Sequence, residues 1–238
     1  MDKKNLVVWV TGASSGIGRC AAVEFARDGF KTAVSARRVE QLELLSRELS
    51  PENLLLHIFP CDISTPSSVS NALDEITSRM GEVSCLINNA GVTSFKSAED
   101  SSLDEINEII RTNLLGSVYA IKAVLPGMIK RKEGTIINII STAALEVLPN
   151  SSAYSASKAG LKAYTDVLRE EVRKYNIRII DIYPGPVRTA MWPGEMLKKH
   201  GAKMMDPEEV ARTILSVYNQ NKTLVTEKII MKPIGGSI

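Results

Sequence analysis

Short runs of β-branched and other apolar residues alternate along the chain with stretches whose apolar positions recur every three to four residues. The strand-like runs fall at 6–10, 31–36, 54–60, 83–88, 134–141, 177–183 and 224–231. The helix-like stretches fall at 16–28, 38–49, 66–80, 102–131, 151–175 and 207–220. The middle runs (Cys85-Leu86-Ile87, Thr135-Ile136-Ile137-Asn138-Ile139-Ile140, Ile177-Arg178-Ile179-Ile180-Asp181-Ile182) are mostly continuously apolar rather than alternating. Strands covered on both faces require that pattern. Seven strands with six crossovers predict an α/β fold: a doubly wound, seven-stranded parallel sheet with helices on both faces and right-handed connections. The Pro-, Gly- and Met-rich stretch 184–206 interrupts the alternation and is expected to be a functional loop or lid.

The 238 residues suit a single domain over 1–238, with ample interior for a core. A net charge of +2 and the absence of basic tracts argue against a nucleic-acid surface. No uninterrupted apolar run reaches the ~18 residues of a membrane span, and residues 6–10 are too few for a signal-peptide core. Cys20, Cys61 and Cys85 are odd in number and widely spaced, which fits reduced thiols and a cytoplasmic location. His57 and His200 lack partners at ligand spacing, so no metal site is expected.

Candidate chemistry begins where the first run meets the first helical stretch, in Thr11-Gly12-Ala13-Ser14-Ser15-Gly16-Ile17-Gly18. Glycines at a strand-to-helix turn let backbone amides approach a pyrophosphate, as in a Rossmann-type nucleotide-binding fold. A turn that merely packs helix against strand is the structural alternative. The second strand-like run leads into Ser35-Ala36-Arg37-Arg38, where an NAD site usually carries an acid for the ribose 2′-hydroxyl. The nearest acid is Glu40, whereas Arg37 and Arg38 offer fork-shaped donors for a 2′-phosphate, pointing to NADP(H).

Tyr154 and Lys158 are four residues apart on one helical stretch, so phenol and ammonium share a face, and Ser141 lies thirteen residues upstream. A phenol ionises near pH 10, and a neighbouring cation in a partly dry site is expected to pull that value down. Lowering it by about three pH units takes about 4 kcal/mol, within reach of one close charge. Ser141 can hydrogen-bond a substrate carbonyl or alcohol oxygen. Tyr218 and Lys222 repeat the spacing at the end of the last helical stretch and read as a solvated helix end. Asn113 falls on an inward apolar stripe (106, 109, 110, 114, 121, 124), where an amide must be hydrogen-bonded.

With these motifs the chain resembles the short-chain dehydrogenase/reductase family, in its single-domain branch of roughly 250 residues. Thr11-Gly12-x-x-x-Gly16-x-Gly18 matches its cofactor loop, with Ser14, Ser15 and Ile17 between and beside the glycines. Asp62-Ile63 matches the pair set against adenine, and Asn88-Asn89-Ala90-Gly91 the turn after the fourth strand. Pro184-Gly185-Pro186-Val187-Arg188-Thr189 matches the nicotinamide segment, with Thr189 as its polar reader. The resemblance implies a catalytic set of Asn113, Ser141, Tyr154 and Lys158, in which Lys158 also binds the nicotinamide ribose and Asn113 holds a water. It implies NADP(H)-dependent interconversion of a small carbonyl compound and its alcohol, with Tyr154 as general acid/base. A 3-oxoacyl-carrier-protein reductase is the alternative substrate reading. A non-catalytic NADP(H) sensor is the alternative of another class, although such sensors commonly lose the tyrosine or lysine that this chain keeps. Val92–Phe95, Leu145–Leu148, Met191, Trp192, Met196 and Leu197 are the expected pocket walls. A homodimer or homotetramer built on the long helices is also implied.

Overall fold

A computed structural model describes residues 3–52, 54–221 and 223–236. The seven strands are β1 (Val7–Thr11), β2 (Lys31–Ser35), β3 (Leu56–Ile58), β4 (Val83–Asn88), β5 (Gly134–Ile139), β6 (Ile177–Pro184) and β7 (Lys228–Met231). They form one parallel sheet in the order β3-β2-β1-β4-β5-β6-β7. The chain starts at the sheet's centre, winds out to β3, then crosses back to add β4 beside β1. That reversal opens a crevice at the carboxyl ends of β1 and β4, the ligand position of a doubly wound Rossmann-type sheet. The helices are α1 (Gly16–Arg27), α2 (Val39–Leu49), α3 (Pro66–Met80), α4 (Leu103–Ile109), α5 (Ser117–Arg131), α6 (Ser152–Val172), α7 (Gly194–His200) and α8 (Pro207–Tyr218).

Alternate residues of the central strands feed two cores, one on each face. Val8 and Val10 pack with α1, α2 and α8, while Val7, Trp9, Leu86 and Ile136 pack with α3, α5 and α6. Every residue of β1 and β5 is buried, which explains their mostly apolar sequences. The Trp9 indole N–H, deep in this layer, donates to Ser35 Oγ at 2.9 Å. Both outer strands are shorter than their sequence runs, because β3 and β7 each pair on one side only.

The stretch 102–131 is not one uniform helix. Ser102 and Glu105 form a capping box at the start of α4, and a π-helical turn over Ile110–Gly116 separates α4 from α5. By length and averaged hydropathy, Leu103–Arg131 is apolar enough to cross a membrane, although it contains no uninterrupted apolar run of that length. Ala120, Ile121, Val124 and Met128 pack against the sheet, the position of a core helix.

Tyr218 corrects one expectation. It is not a solvated helix end: α8 packs on α1, and its last turn presents Tyr218 to Phe25 and Phe30, with ring centroids 5.4 and 5.3 Å away. Burial pushes its phenol well above the usual value. Lys222 lies outside the described residues.

Leu86 is fully buried on a central strand. Leu86→Ala is expected to lower unfolding free energy by about 2–5 kcal/mol in urea titration, and a loss below about 1 kcal/mol would contradict this packing.

Candidate active site

Apart from Gly18 and Asn113, every catalytic and cofactor-contacting residue expected from the sequence lines one cleft of about 500 Å³ at the carboxyl ends of the strands. Gly12 has φ +66°, and a Cβ there would stand 2.6 Å from Ala90 Cα. A Cβ on Gly18 would stand 2.2 Å from Asn89 Nδ2, so Gly18 sits behind the turn and brings α1 against β4. Asn89 Nδ2 donates to the carbonyls of Thr11 and Gly12 at 3.1 and 3.0 Å. The amides of Asn89 and Ala90 donate to Thr11 Oγ1 at 3.1 and 3.2 Å, and that hydroxyl donates to the Ile87 carbonyl. The glycines thus serve the packing role and the open turn together. Ser15 N-caps α1 without a side-chain capping bond, leaving the first-turn amides available to an anion.

At the neighbouring strand end, Arg38 Nη2 donates to Ser14 Oγ and Ser15 Oγ at 3.1 and 3.3 Å, which seats its guanidinium on the glycine turn. Arg37 is exposed and lies 3.7 Å from Glu108 of α4. Asp62 Oδ1 accepts from the amide and hydroxyl of Ser64, fixing the turn that carries Ile63. These residues fit the adenosine half of a dinucleotide: a glycine turn open to close approach, free first-turn amides and two guanidinium groups.

At the other end, α6 presents Tyr154 and Lys158 toward the end of β5. Lys158 Nζ lies 5.8 Å from the Tyr154 ring centroid and donates to the Ile139 carbonyl at 2.8 Å. Burial pulls the Lys158 ammonium down to about 8. Burial also pushes the half-buried Tyr154 phenol above its ordinary value, while a hydrogen bond with Ser141 works the other way. The downward shift expected from the Lys158 charge is therefore reversed in sign, because enclosing the phenolate outweighs its favourable contacts. The Ala143 amide donates to Ser141 Oγ at 3.1 Å and orients the hydroxyl.

Asn113 is completely buried on the π-helical turn, behind the cleft wall. Its Oδ1 accepts from the Val92 amide at 2.8 Å, and its Nδ2 donates to the Val92 carbonyl and to Ser157 Oγ at 2.9 and 3.0 Å. A Cβ on Gly91 would lie 3.3 Å from Asn113 Oδ1 and 3.7 Å from Lys158 Nζ, so the amide and the ammonium converge on one spot.

The 184–206 stretch is more ordered than its composition suggests. Val187 bridges to Met205, the Trp192 indole N–H donates to the Val187 carbonyl at 3.0 Å, and 194–200 is helical. Trp192 stacks on Phe95 with ring centroids 4.8 Å apart, so this segment touches the opposite wall of the cleft. Phe95, Glu146, Val147, Leu148, Met191 and Trp192 line the cleft as expected, and Glu146 pairs with Lys232. Ser94, Leu145, Met196 and Leu197 are not part of the lining; the last two lie on α7, whose turn carries them away from the wall. One polar group, Ser157, goes unremarked in the sequence; it is the partner of Asn113 and one turn from Tyr154, a spacing that carries the signal. Thr93, within the expected wall 92–95, lines the cleft with its Oγ1 buried and unpartnered.

Comparison with known proteins finds relatives over nearly the whole chain. Residues 6–199 match the family model described as short chain dehydrogenase. A sepiapterin reductase of Chlorobaculum tepidum is 35% identical over 239 residues, covering 98% of each chain. The closed form of a serine dehydrogenase complexed with NADP+ superposes with a TM-score of 0.90 at 30% identity, covering 98% of this chain and 97% of that one. An alcohol dehydrogenase of the archaeon Thermococcus sibiricus, complexed with 5-hydroxy-NADP, gives a TM-score of 0.87 at 27% identity, over 96% of this chain and 97% of that one.

A buried lysine held near 8 against an ordinary 10.5 destabilises the fold wherever it is charged in both states, that is, below about pH 8. The penalty fades as pH rises from about 8 to 10.5, where the folded state has already lost the proton. Lys158→Met is therefore expected to be more stable than wild type by about 3 kcal/mol at pH 7, with the gain vanishing towards pH 10.5. Chemical denaturation of both proteins across this range measures it, and a difference independent of pH would contradict the assignment.

Proposed function

The chain belongs to the short chain dehydrogenase family, and from that premise we propose that it is an NADP(H)-dependent oxidoreductase interconverting a carbonyl compound and its alcohol. The observation that carries this reading is the convergence of Ser141, Tyr154 and Lys158 on the same cleft as the Gly12–Gly18 turn. The bound nicotinamide supplies or takes up the hydride. Ser141, oriented by the Ala143 amide, holds the substrate oxygen. Tyr154 gives that oxygen its proton in reduction and takes it back in oxidation, an effect worth about 10²–10⁴-fold in rate. Lys158 binds the nicotinamide ribose and keeps a positive charge beside the phenol. Asn113, behind Gly91, supports the proton path from Lys158.

Arg37 and Arg38 at the end of β2, and the NADP-bound relatives of this fold, support NADP(H) over NAD(H). The substrate we infer is a medium-sized carbonyl compound with apolar parts, held by Phe95, Leu148, Met191 and Trp192, with Glu146 as the charged wall. The whole chain acts as one nucleotide-binding domain in the cytoplasm. Leu103 and Val167, 78% and 61% exposed on the helical layer, support a homodimer or homotetramer.

Tyr154→Phe is expected to lose nearly all NADPH-dependent reduction while binding NADPH as wild type does. Absorbance assays over a panel of ketones and aldehydes, paired with fluorescence titration of NADPH, test this; substantial residual turnover would remove Tyr154 from its role. Arg37→Asp is expected to shift the Kd ratio of NADPH to NADH by about tenfold or more toward NADH. An unchanged ratio would mean that Arg37 does not read the 2′-phosphate.

A further inference from the structure

Three central strands each carry one polar side chain near the carboxyl end of an apolar run, and the register sets them in a row. Asn88 of β4 faces Asn138 of β5, which faces Asp181 of β6. None is more than 2% exposed. Asp181 Oδ1 accepts from Asn138 Nδ2 at 2.9 Å, and Oδ2 accepts from Thr165 Oγ1 and Arg169 Nη2 at 2.8 and 2.7 Å. Asn138 Oδ1 accepts from Asn88 Nδ2 at 3.1 Å, and that same nitrogen reaches the Ser117 carbonyl at 3.4 Å. Ser117 Oγ donates to the Asn113 carbonyl at 2.9 Å. Asn113 Nδ2 donates to Ser157 Oγ, which donates to the Tyr154 carbonyl at 2.7 Å.

The row has a direction. An ionised carboxylate only accepts, so Asn138 must turn its nitrogen to Asp181 and its oxygen to Asn88. Asn88 must then offer its nitrogen, and its own oxygen is left over. Asn88 Oδ1 is indeed among the buried side-chain atoms without a partner. Arg169, 5% exposed and anchored on the Ile179 carbonyl and Asp166, holds the charge in place. A buried ion pair adds little stability over apolar residues of similar volume, so stability alone does not explain it.

We propose that Asp181 is a positioning residue for the active site: its charge orients the Asn138 and Asn88 amides and, through Ser117, fixes the π-helical turn that carries Asn113 beside Tyr154. This inference rests on the oxidoreductase reading for its activity readout. The test is the double variant Asp181→Leu/Arg169→Met, which removes both charges without stranding either. It is expected to fold with a lowered melting temperature, because Asn138 Nδ2 and Thr165 Oγ1 lose their acceptor, and to keep its Kd for NADPH within about twofold, while kcat falls by about tenfold or more. Wild-type kcat in the folded double variant would overturn the proposal.

Side-chain amide NMR of the wild-type protein supplies a second arm that needs no variant to fold. Asn138 and Asn88 are expected to give single, slowly exchanging amide signals, and signals from two interchanging orientations would overturn the proposal. A wild-type protein that turns over no carbonyl compound would strike the oxidoreductase reading instead, and the amide signals would then judge the polarity of the row alone.

Discussion

How closely the turn after β1 can approach the turn after β4 decides whether the cleft exists. Thr11 is the hub of that approach, its hydroxyl taking two amides of the second turn and giving its proton back to the Ile87 carbonyl. The Asn89 side chain closes the contact from the other side by donating to two carbonyls of the first turn. Five hydrogen bonds on so few residues leave no space for a Cβ at position 12 or 18. The same tight join sets α1 with its amino end facing the crevice, so a packing constraint and an anion site arise from one set of contacts.

Enclosure then acts on the ionisable groups at the far end of the cleft. It pulls the Lys158 ammonium down to about 8 and pushes the Tyr154 phenol up, moving the two proton affinities apart, so the lysine gives up its proton before the phenol does. At about 8, Lys158 keeps most of its charge at neutral pH, and its ammonium stays within 5.8 Å of the phenol ring. The site therefore works against desolvation rather than with a freely available cation. The contacts that favour the charged forms, the Ser141 hydroxyl and the Ile139 carbonyl, matter for that reason.

The central strands and the glycine turn were legible in the sequence because each leaves a local signature. A strand covered on both faces must be mostly apolar, as β5 is, and a backbone close approach needs glycine. The outer strands were overestimated, since a run such as 224–231 records propensity and not whether a partner strand reaches all of it. Tyr218 was misread because its burial depends on α1, nearly two hundred residues away. The direction of the Tyr154 shift was misread for a related cause: four-residue spacing records a neighbour, while depth in the fold is set by the whole sheet. Asn88, Asn138 and Asp181 did leave a trace, a polar residue near the carboxyl end of each of three mostly apolar runs, yet only the register joins them into a row.

The π-helical turn is where the two ends of the site meet. The wider winding takes up an extra residue, and polar groups turn inward there beside apolar ones. Thr112, Asn113, Gly116 and Ser117 are all buried, on one face of the helix. A Cβ at position 116 would stand 2.9 Å from the Ile63 carbonyl, so the turn is seated directly on the loop after β3 that lines the adenosine half of the cleft. From the same turn Asn113 reaches the Val92 backbone and Ser157, behind the half that holds Tyr154 and Lys158. A single helical irregularity thus sets the spacing between the two halves, which makes its winding a condition on the reach of any dinucleotide laid between them.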